Sequence, residues 1–295
     1  MSQITFAGLA ALDLATSVSA NASHAASQLS ITVENLTGSG GFSFTPLYLG
    51  FHDGSFDAFD VGETASPGLE LLAELGVPGP GTAPGTIANE RLQADGDSEG
   101  AVIAAAGNGV PAIDPGETVT EIVGVERAAS NQYLTFLSML VPSNDTFFGN
   151  DNPFAYQLFD DQGQFNGSLT IDITDEIFYD AGTEVNSAID GPAFVVDTGN
   201  PAFPGAPDAM GGTAENGVIV LAGNPVLGFE NVSTPVGPLD DSLLRFADDR
   251  AGFAFARITI EETVAPVPLP AGAWLGLSAL GALGGLRVMR RRAAG

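Results

Sequence analysis

The feature that most constrains this chain is a series of short period-two segments separated by turn signals. Leu29-Ser30-Ile31-Thr32-Val33-Glu34-Asn35 alternates apolar and polar residues, as do Glu117 to Val125 and Ser168 to Ile173. Such alternation turns one face of a strand to a core and the other to water. Tyr133 to Leu140 is apolar almost throughout, the pattern of a strand covered on both faces. Val218 to Ala222 and Phe253 to Ile260 supply late strands. Asn108-Gly109, Asp114-Pro115-Gly116, Gln162-Gly163 and Asn216-Gly217 mark turns between them. Only Ser66 to Leu75 and Gly85 to Gln93 suit short helices, and residues 187–240, rich in Gly, Pro, Ala and Asn, read as long loops. Many short strands with frequent turns predict one all-β domain over residues 27–263, an antiparallel sandwich or barrel.

Charge narrows the function. The sequence has 36 acids against nine basic residues, and all nine are Arg. Four of these (Arg287, Arg290, Arg291 and Arg292) lie at the extreme C-terminus. Between residues 26 and 265 five arginines face 35 acids, a net charge of −30. Such a surface repels nucleic acid and anionic lipid and attracts divalent cations, so nucleic-acid binding is excluded as a function. Cysteine is absent, which removes disulfides, thiolate catalysis and thiolate metal sites together.

The two ends speak to the compartment. Residues 1–26 read as a degenerate signal peptide: small apolar residues precede cleavage-type sites near Ala20 and Ala25, but a basic start is missing and Asp13 interrupts the apolar core. At the other end Ala271 to Leu286 is uncharged and is followed by an arginine cluster. As a helix it spans ~24 Å against a ~30 Å hydrocarbon layer, so the arginines must snorkel for it to cross. The cluster places the extreme C-terminus in the cytoplasm and the body outside. Immediately upstream stands Val267-Pro268-Leu269-Pro270-Ala271. This tail, residues 264–295 with the helix at 271–286, resembles the VPLPA-type C-terminal signals that exosortases process in Gram-negative bacteria. The resemblance implies an exosortase-type processing enzyme as partner, an inner-membrane precursor, and release to the envelope or outside.

One loop-like stretch, Val141-Pro142-Ser143-Asn144-Asp145-Thr146-Phe147-Phe148-Gly149-Asn150-Asp151, concentrates hard oxygen ligands of the kind Ca²⁺ takes. By composition alone it is equally an ordinary polar turn after a core strand. It is also one of four ordered landmarks. Phe44 to Gly54 (FTPLYLGFHDG), Met139 to Gly149 (MLVPSNDTFFG), Tyr179 to Glu184 (YDAGTE) and Ala256 to Ile260 (ARITI) resemble successive segments of the spondin N-terminal domain family. That resemblance implies an antiparallel β-sandwich related to C2 domains, a bound Ca²⁺, and adhesion or recognition of a cell-surface polymer or glycan. Its metal ligands fall on Asp145, Asp180 and Glu126, the last in competition with Glu121 and Glu117.

A tight group of carboxylates in a chain with so few cations needs a counter-ion, and Ca²⁺ supplies one. Asp53-Gly54-Ser55-Phe56-Asp57-Ala58-Phe59-Asp60, with Glu63, is a second acidic run, but its spacing does not fit an EF-hand loop. Its alternative is a solvated loop whose Phe residues face the core. Enzyme readings lack parts: there are only two His, His24 and His52, so a triad would have to rest on His52 alone, and no phosphate loop ends in Lys. The expectation is a non-enzymatic, exported Ca²⁺-binding adhesion module. A purely structural matrix protein and a carbohydrate-active enzyme using paired carboxylates are the alternatives.

Overall fold

A computed structural model describes residues 26–106, 111–187, 212–222, 233–234, 237–238 and 252–263. The expected signal segment, the sorting motif Val267 to Ala271 and the apolar helix at 271–286 lie outside these residues. Among the described residues no helix is long and apolar enough to cross a membrane.

Thirteen strands and two helices are described in chain order. They are β1 (Ser27–Asn35), β2 (Ser43–Phe44), β3 (Leu47–His52), α1 (Pro67–Leu75), α2 (Ile87–Ala94), β4 (Glu99–Ile103), β5 (Thr118–Val125) and β6 (Tyr133–Val141). Then follow β7 (Thr146–Gly149), β8 (Leu169–Ile173), β9 (Phe178–Asp180), β10 (Val220–Leu221), β11 (Ser233–Thr234), β12 (Gly237–Pro238) and β13 (Ala256–Glu262). One sheet has the order β5-β1-β13-β8, and the larger sheet runs β10-β9-β7-β6-β3-β4 with β2 beside β6. Every pairing is antiparallel.

The two sheets face each other across one apolar core. Leu29, Ile31 and Val33 of β1 and Ile258 and Ile260 of β13 meet Leu49 and Phe51 of β3, Phe136 of β6 and Phe148 of β7. In β1 the apolar residues are buried and their polar neighbours half-buried, as the period-two pattern requires. The inner strands of the larger sheet do not alternate because both their faces are covered. Tyr48, Leu137, Phe147 and Tyr179 point away from the first core and into a second, where they meet Leu69 and Leu72 of α1 and Ile87 of α2.

Both helices form where the sequence expects them, and local chemistry explains their ends. The Ser66 hydroxyl caps α1 by accepting from Leu69 N, Pro67 starts the first turn, and Gly76 ends it in the left-handed region (φ 63°). Glu90 of α2 accepts from Gly68 N and from the Ser66 hydroxyl, which ties an acid to the positive end of α1. A Cβ on Gly76 would lie 2.3 Å from Thr45 Cγ2, so the same residue lets the helix end against the sheet. This packing fixes the last turn of α1, and with it Glu74.

Candidate metal centre

The polar stretch after β6 is not an exposed turn. Ser143, Asn144, Asp145 and Thr146 are fully buried, and Thr146–Gly149 is strand β7, paired with β6 and β9. A cis Val141–Pro142 peptide leads into it. The Ser143 hydroxyl then donates to Leu140 O and accepts from Thr146 N, which reverses the chain within four residues. Asn150 closes the hairpin, its side chain accepting from Phe136 N and donating to Leu134 O in place of backbone. Burying so many polar groups is costly unless each finds a partner.

Asp145 only half satisfies that demand. Its Oδ2 accepts three hydrogen bonds, from Thr183 N at 2.7 Å, Glu184 N at 3.0 Å and the Thr183 hydroxyl at 3.1 Å. Its Oδ1 is buried and has no partner. Three donors on one oxygen ordinarily hold a carboxyl below its usual range. Here burial and then the neighbouring Asp180 outweigh them, and the pKa is pushed up to about 6.

Asp180 ends β9, where its Cα stands opposite Thr146. Its Oδ1 accepts from Gly182 N at 2.8 Å, and Asn186 Nδ2 donates to Oδ2. The turn requires glycine at 182: φ is 66°, and a Cβ would lie 2.7 Å from Val218 O. By turning there, the chain delivers the amides of Thr183 and Glu184 to Asp145.

Two acids that the sequence does not single out join this group. Glu184 is buried, with Oε1 accepting from Gly212 N at 3.1 Å and Oε2 from Asn144 Nδ2 at 3.4 Å. Burial first and Glu74 second push its pKa up to about 7. Glu74 is also buried, and burial followed by the nearby Glu70 and Asp145 raises its pKa to about 7. Glu74 also lies in the last turn of α1, where the helix dipole is negative and no basic residue compensates. Glu184 had a visible signal, since it completes the Tyr179-Asp180-Ala181-Gly182-Thr183-Glu184 landmark. Glu74 had none, because nothing local distinguishes it from a solvated helix acid.

No described arginine serves these carboxyls. Arg91 donates to the Tyr48 and Ser98 hydroxyls, Arg127 pairs with Asp97, and Arg257 pairs with Asp172. The acids nevertheless do not form a ready-made cage: among the described residues no three His, Asp or Glu side chains converge closely enough to hold one ion. Any cation here would draw the rest of its shell from neutral oxygens and water, as Ca²⁺ commonly does.

The structure brings Asp145 and Asp180 together and leaves Glu126 apart. Glu126 is exposed just beyond β5, and its amide donates to Glu99 of β4. In the strand order β4 is three positions from β7, which is roughly 14 Å at ~4.8 Å per strand. Glu121 and Glu117 lie on or next to the same edge strand, Glu121 exposed and Glu117 accepting from Asp114 N. The acidic run from Asp53 to Asp60 turns Phe56 and Phe59 into the second core, while Asp53, Asp57 and Asp60 are exposed. His52 is buried at the end of β3, 2.9 Å from the Thr135 hydroxyl, and burial lowers its pKa to about 4, so it stays neutral.

Three of the four landmark segments therefore converge on one part of the larger sheet: β3, the β6–β7 hairpin, and the turn after β9. The family model Spondin_N matches residues 39–201, more than half of the chain, and spans all three. No curated protein matches the chain. On this match the chain belongs to the Spondin_N family, a non-enzymatic family of extracellular recognition and matrix modules.

Proposed function

We propose that this protein is an exported adhesion or recognition module of the bacterial envelope or matrix, stabilised by one Ca²⁺. The observation that carries the metal is Asp145: a fully buried carboxylate with one orphan oxygen, set beside Asp180 and Glu184 and without a described cation. Asp145 would hold the ion together with neutral oxygens and water, and the ion would offset the repulsion between Asp145 and its neighbours Asp180 and Glu184 and fasten the turn after β9 to the β6–β7 hairpin. Glu126, which stands by β4, is not part of this site.

The burial of Asp145 and Glu184 supports a structural ion rather than one that offers an open coordination position to a partner. Recognition of a surface polymer or glycan then falls to the exterior. The VPLPA-type tail supports sorting through the inner membrane by an exosortase-type enzyme. Mass spectrometry of the C-terminus of the protein recovered from cells tests this part. A chain ending near Pro270 fits processing, and an intact Gly295 terminus contradicts it. For the metal, the melting temperature in calcium should exceed that in EDTA, because a ligand that binds only the native state stabilises it. An unchanged melting temperature at millimolar calcium would sink the metal reading.

A further inference from the structure

We propose that the exposed ring of Phe154, seated against Gly54 and Tyr133 with Asp53 and Asp95 beside it, is a docking platform for an amino-sugar polymer. The proposal rests on the recognition reading above, to which it gives a surface and a ligand class, and is independent of the calcium reading.

Phe154 is an exposed residue held as firmly as a buried one. At 57% exposure it is the most open of the described large apolar side chains. Apolar side chains scattered singly over a surface carry no message, but this one is fixed from several sides. Its amide donates to Asn152 Oδ1 at 3.0 Å, and the buried Asn150 donates from Nδ2 to Asn152 O at 3.1 Å. Ala155 N also donates to Asn152 O, and Leu134 N donates to Tyr156 O, which laces the loop to the start of β6. One edge of the ring rests on Gly54, where an added Cβ would lie 2.2 Å from Phe154 Cε1. Tyr133 meets the ring edge-on, with centroids 5.1 Å apart and planes at 85°. Tyr133 opens β6 and Val141 closes it, so the platform lies roughly 26 Å from the Asp145 end of the strand, at ~3.3 Å per residue.

Charge selects the partner. Asp53 adjoins Gly54 in the chain and is exposed, and its Oδ1 accepts from Ser55 N at 2.9 Å. Hydrogen bonds from Ser55 hold its carboxyl below the usual range, so it is ionised at neutral pH. Asp53 N donates to Asp95 Oδ2 at 3.3 Å, which brings a second carboxylate to the same spot. Among the described residues no arginine pairs with either acid: Arg127 goes to Asp97 and Arg257 to Asp172, while Arg91 is spent on Tyr48 and Ser98. The face of an aromatic ring is the negative part of its quadrupole and attracts cations. A ring face beside two unpaired carboxylates therefore suits an ammonium group, and the acidic body turns polyanions away. In an amino sugar the amine is fixed to a rigid ring whose C–H groups cover Phe154 while the amine reaches the acids. A lysine carries the same amine on a flexible stem and loses more freedom on binding. One such contact is weak, and a repeating polymer gains by engaging many copies of the chain at once.

The test measures binding of the full chain, in EDTA, to beads of a glucosamine polymer, of its fully N-acetylated form and of polylysine. Salt is set high enough to screen distant charges. The wild type should bind the glucosamine polymer more tightly than either of the others. Phe154→Ala, which changes no charge, should raise the apparent Kd roughly tenfold, and Phe154→Trp should restore it, since Trp is the best cation–π partner. Asp53→Asn should weaken binding, whereas Glu261→Gln, the same charge change at an exposed acid of the opposite sheet, should not. An unchanged Kd in Phe154→Ala, equal losses in Asp53→Asn and Glu261→Gln, or polylysine held as tightly as the glucosamine polymer overturns the proposal. The recognition reading survives any of these results if the wild type retains surface polysaccharide extracted from the cells that make it. Retention of neither that extract nor the glucosamine polymer overturns both.

Discussion

Glu184 donates its backbone amide to Asp145 Oδ2 at 3.0 Å while its own carboxyl is buried beside the same aspartate. One residue thus both satisfies Asp145 and repels it. The contact spans 39 positions of sequence and joins the β6–β7 hairpin to the turn after β9. Its net sign depends on whether the carboxyls are ionised, and the predictions below follow from that.

Replacing Asp145 by Ala removes the acceptor for Thr183 N, Glu184 N and the Thr183 hydroxyl. Stranding such donors in a buried site should cost about 3 kcal/mol in EDTA, read by urea denaturation. The calcium-dependent rise in melting temperature should vanish in the same variant. A variant that keeps the full rise would remove Asp145 from the site.

The metal-free protein should become less stable as pH rises. Asp145, Glu74 and Glu184 have folded-state pKa values near 6, 7 and 7, above their ordinary 3.8, 4.5 and 4.5. The groups facing them are all acids: Asp180 for Asp145, Glu70 and Asp145 for Glu74, and Glu74 and Asp145 for Glu184. Between those limits the native state binds more protons than the unfolded chain, so these acids contribute stability at low pH and lose it as pH rises through about 7. Calcium should reverse the trend by holding them ionised. Scanning calorimetry from pH 5 to pH 8, with calcium and with EDTA, should show the two curves diverging upward in pH. Parallel curves would contradict the account.

Gly182→Ala should weaken both fold and site. The residue has φ 66°, and a Cβ would lie 2.7 Å from Val218 O, so the turn that delivers Thr183 N and Glu184 N must shift. A loss of about 1–3 kcal/mol is expected from the left-handed strain and the contact together. Circular-dichroism melts of the variant should also show a smaller calcium increment.

Glu126→Gln should leave the calcium response as it is in the wild type. The residue is exposed near β4 and across the sheet from Asp145. A lost response would restore it to the site.

How much of this is legible in the sequence differs by element. Strands β1 and β8 announce themselves because one of their faces meets water, so that burial alternates with period two, whereas β5 keeps the pattern only in part, with Glu121 and Ile122 both exposed. β6 is legible as an apolar run, and α1 and α2 through their caps and turn residues. β7 is not: Thr146, Phe147, Phe148 and Gly149 are too short a run to separate from the polar residues around them, and Phe147 and Phe148 serve different cores. The same burial turns an oxygen-rich stretch that reads as a loop into the most enclosed polar segment described. The landmarks that carry Asp145 and Asp180 are the ones the β7–β9 pairing brings side by side. Glu126 stands apart because its position depends on an alignment along β5, and chain distance does not reveal that β5 edges the opposite sheet. Glu74 is out of reach of any linear reading, since only the docking of α1 buries it.

The most direct test of the central claim is isothermal titration of CaCl₂ into the full chain, stripped of metal by chelation, at pH 7.5, beside Asp145→Ala. The account predicts one saturable site per chain in the wild type and none in the variant. No saturable heat in the wild type up to millimolar calcium, or equal binding by both proteins, would contradict it.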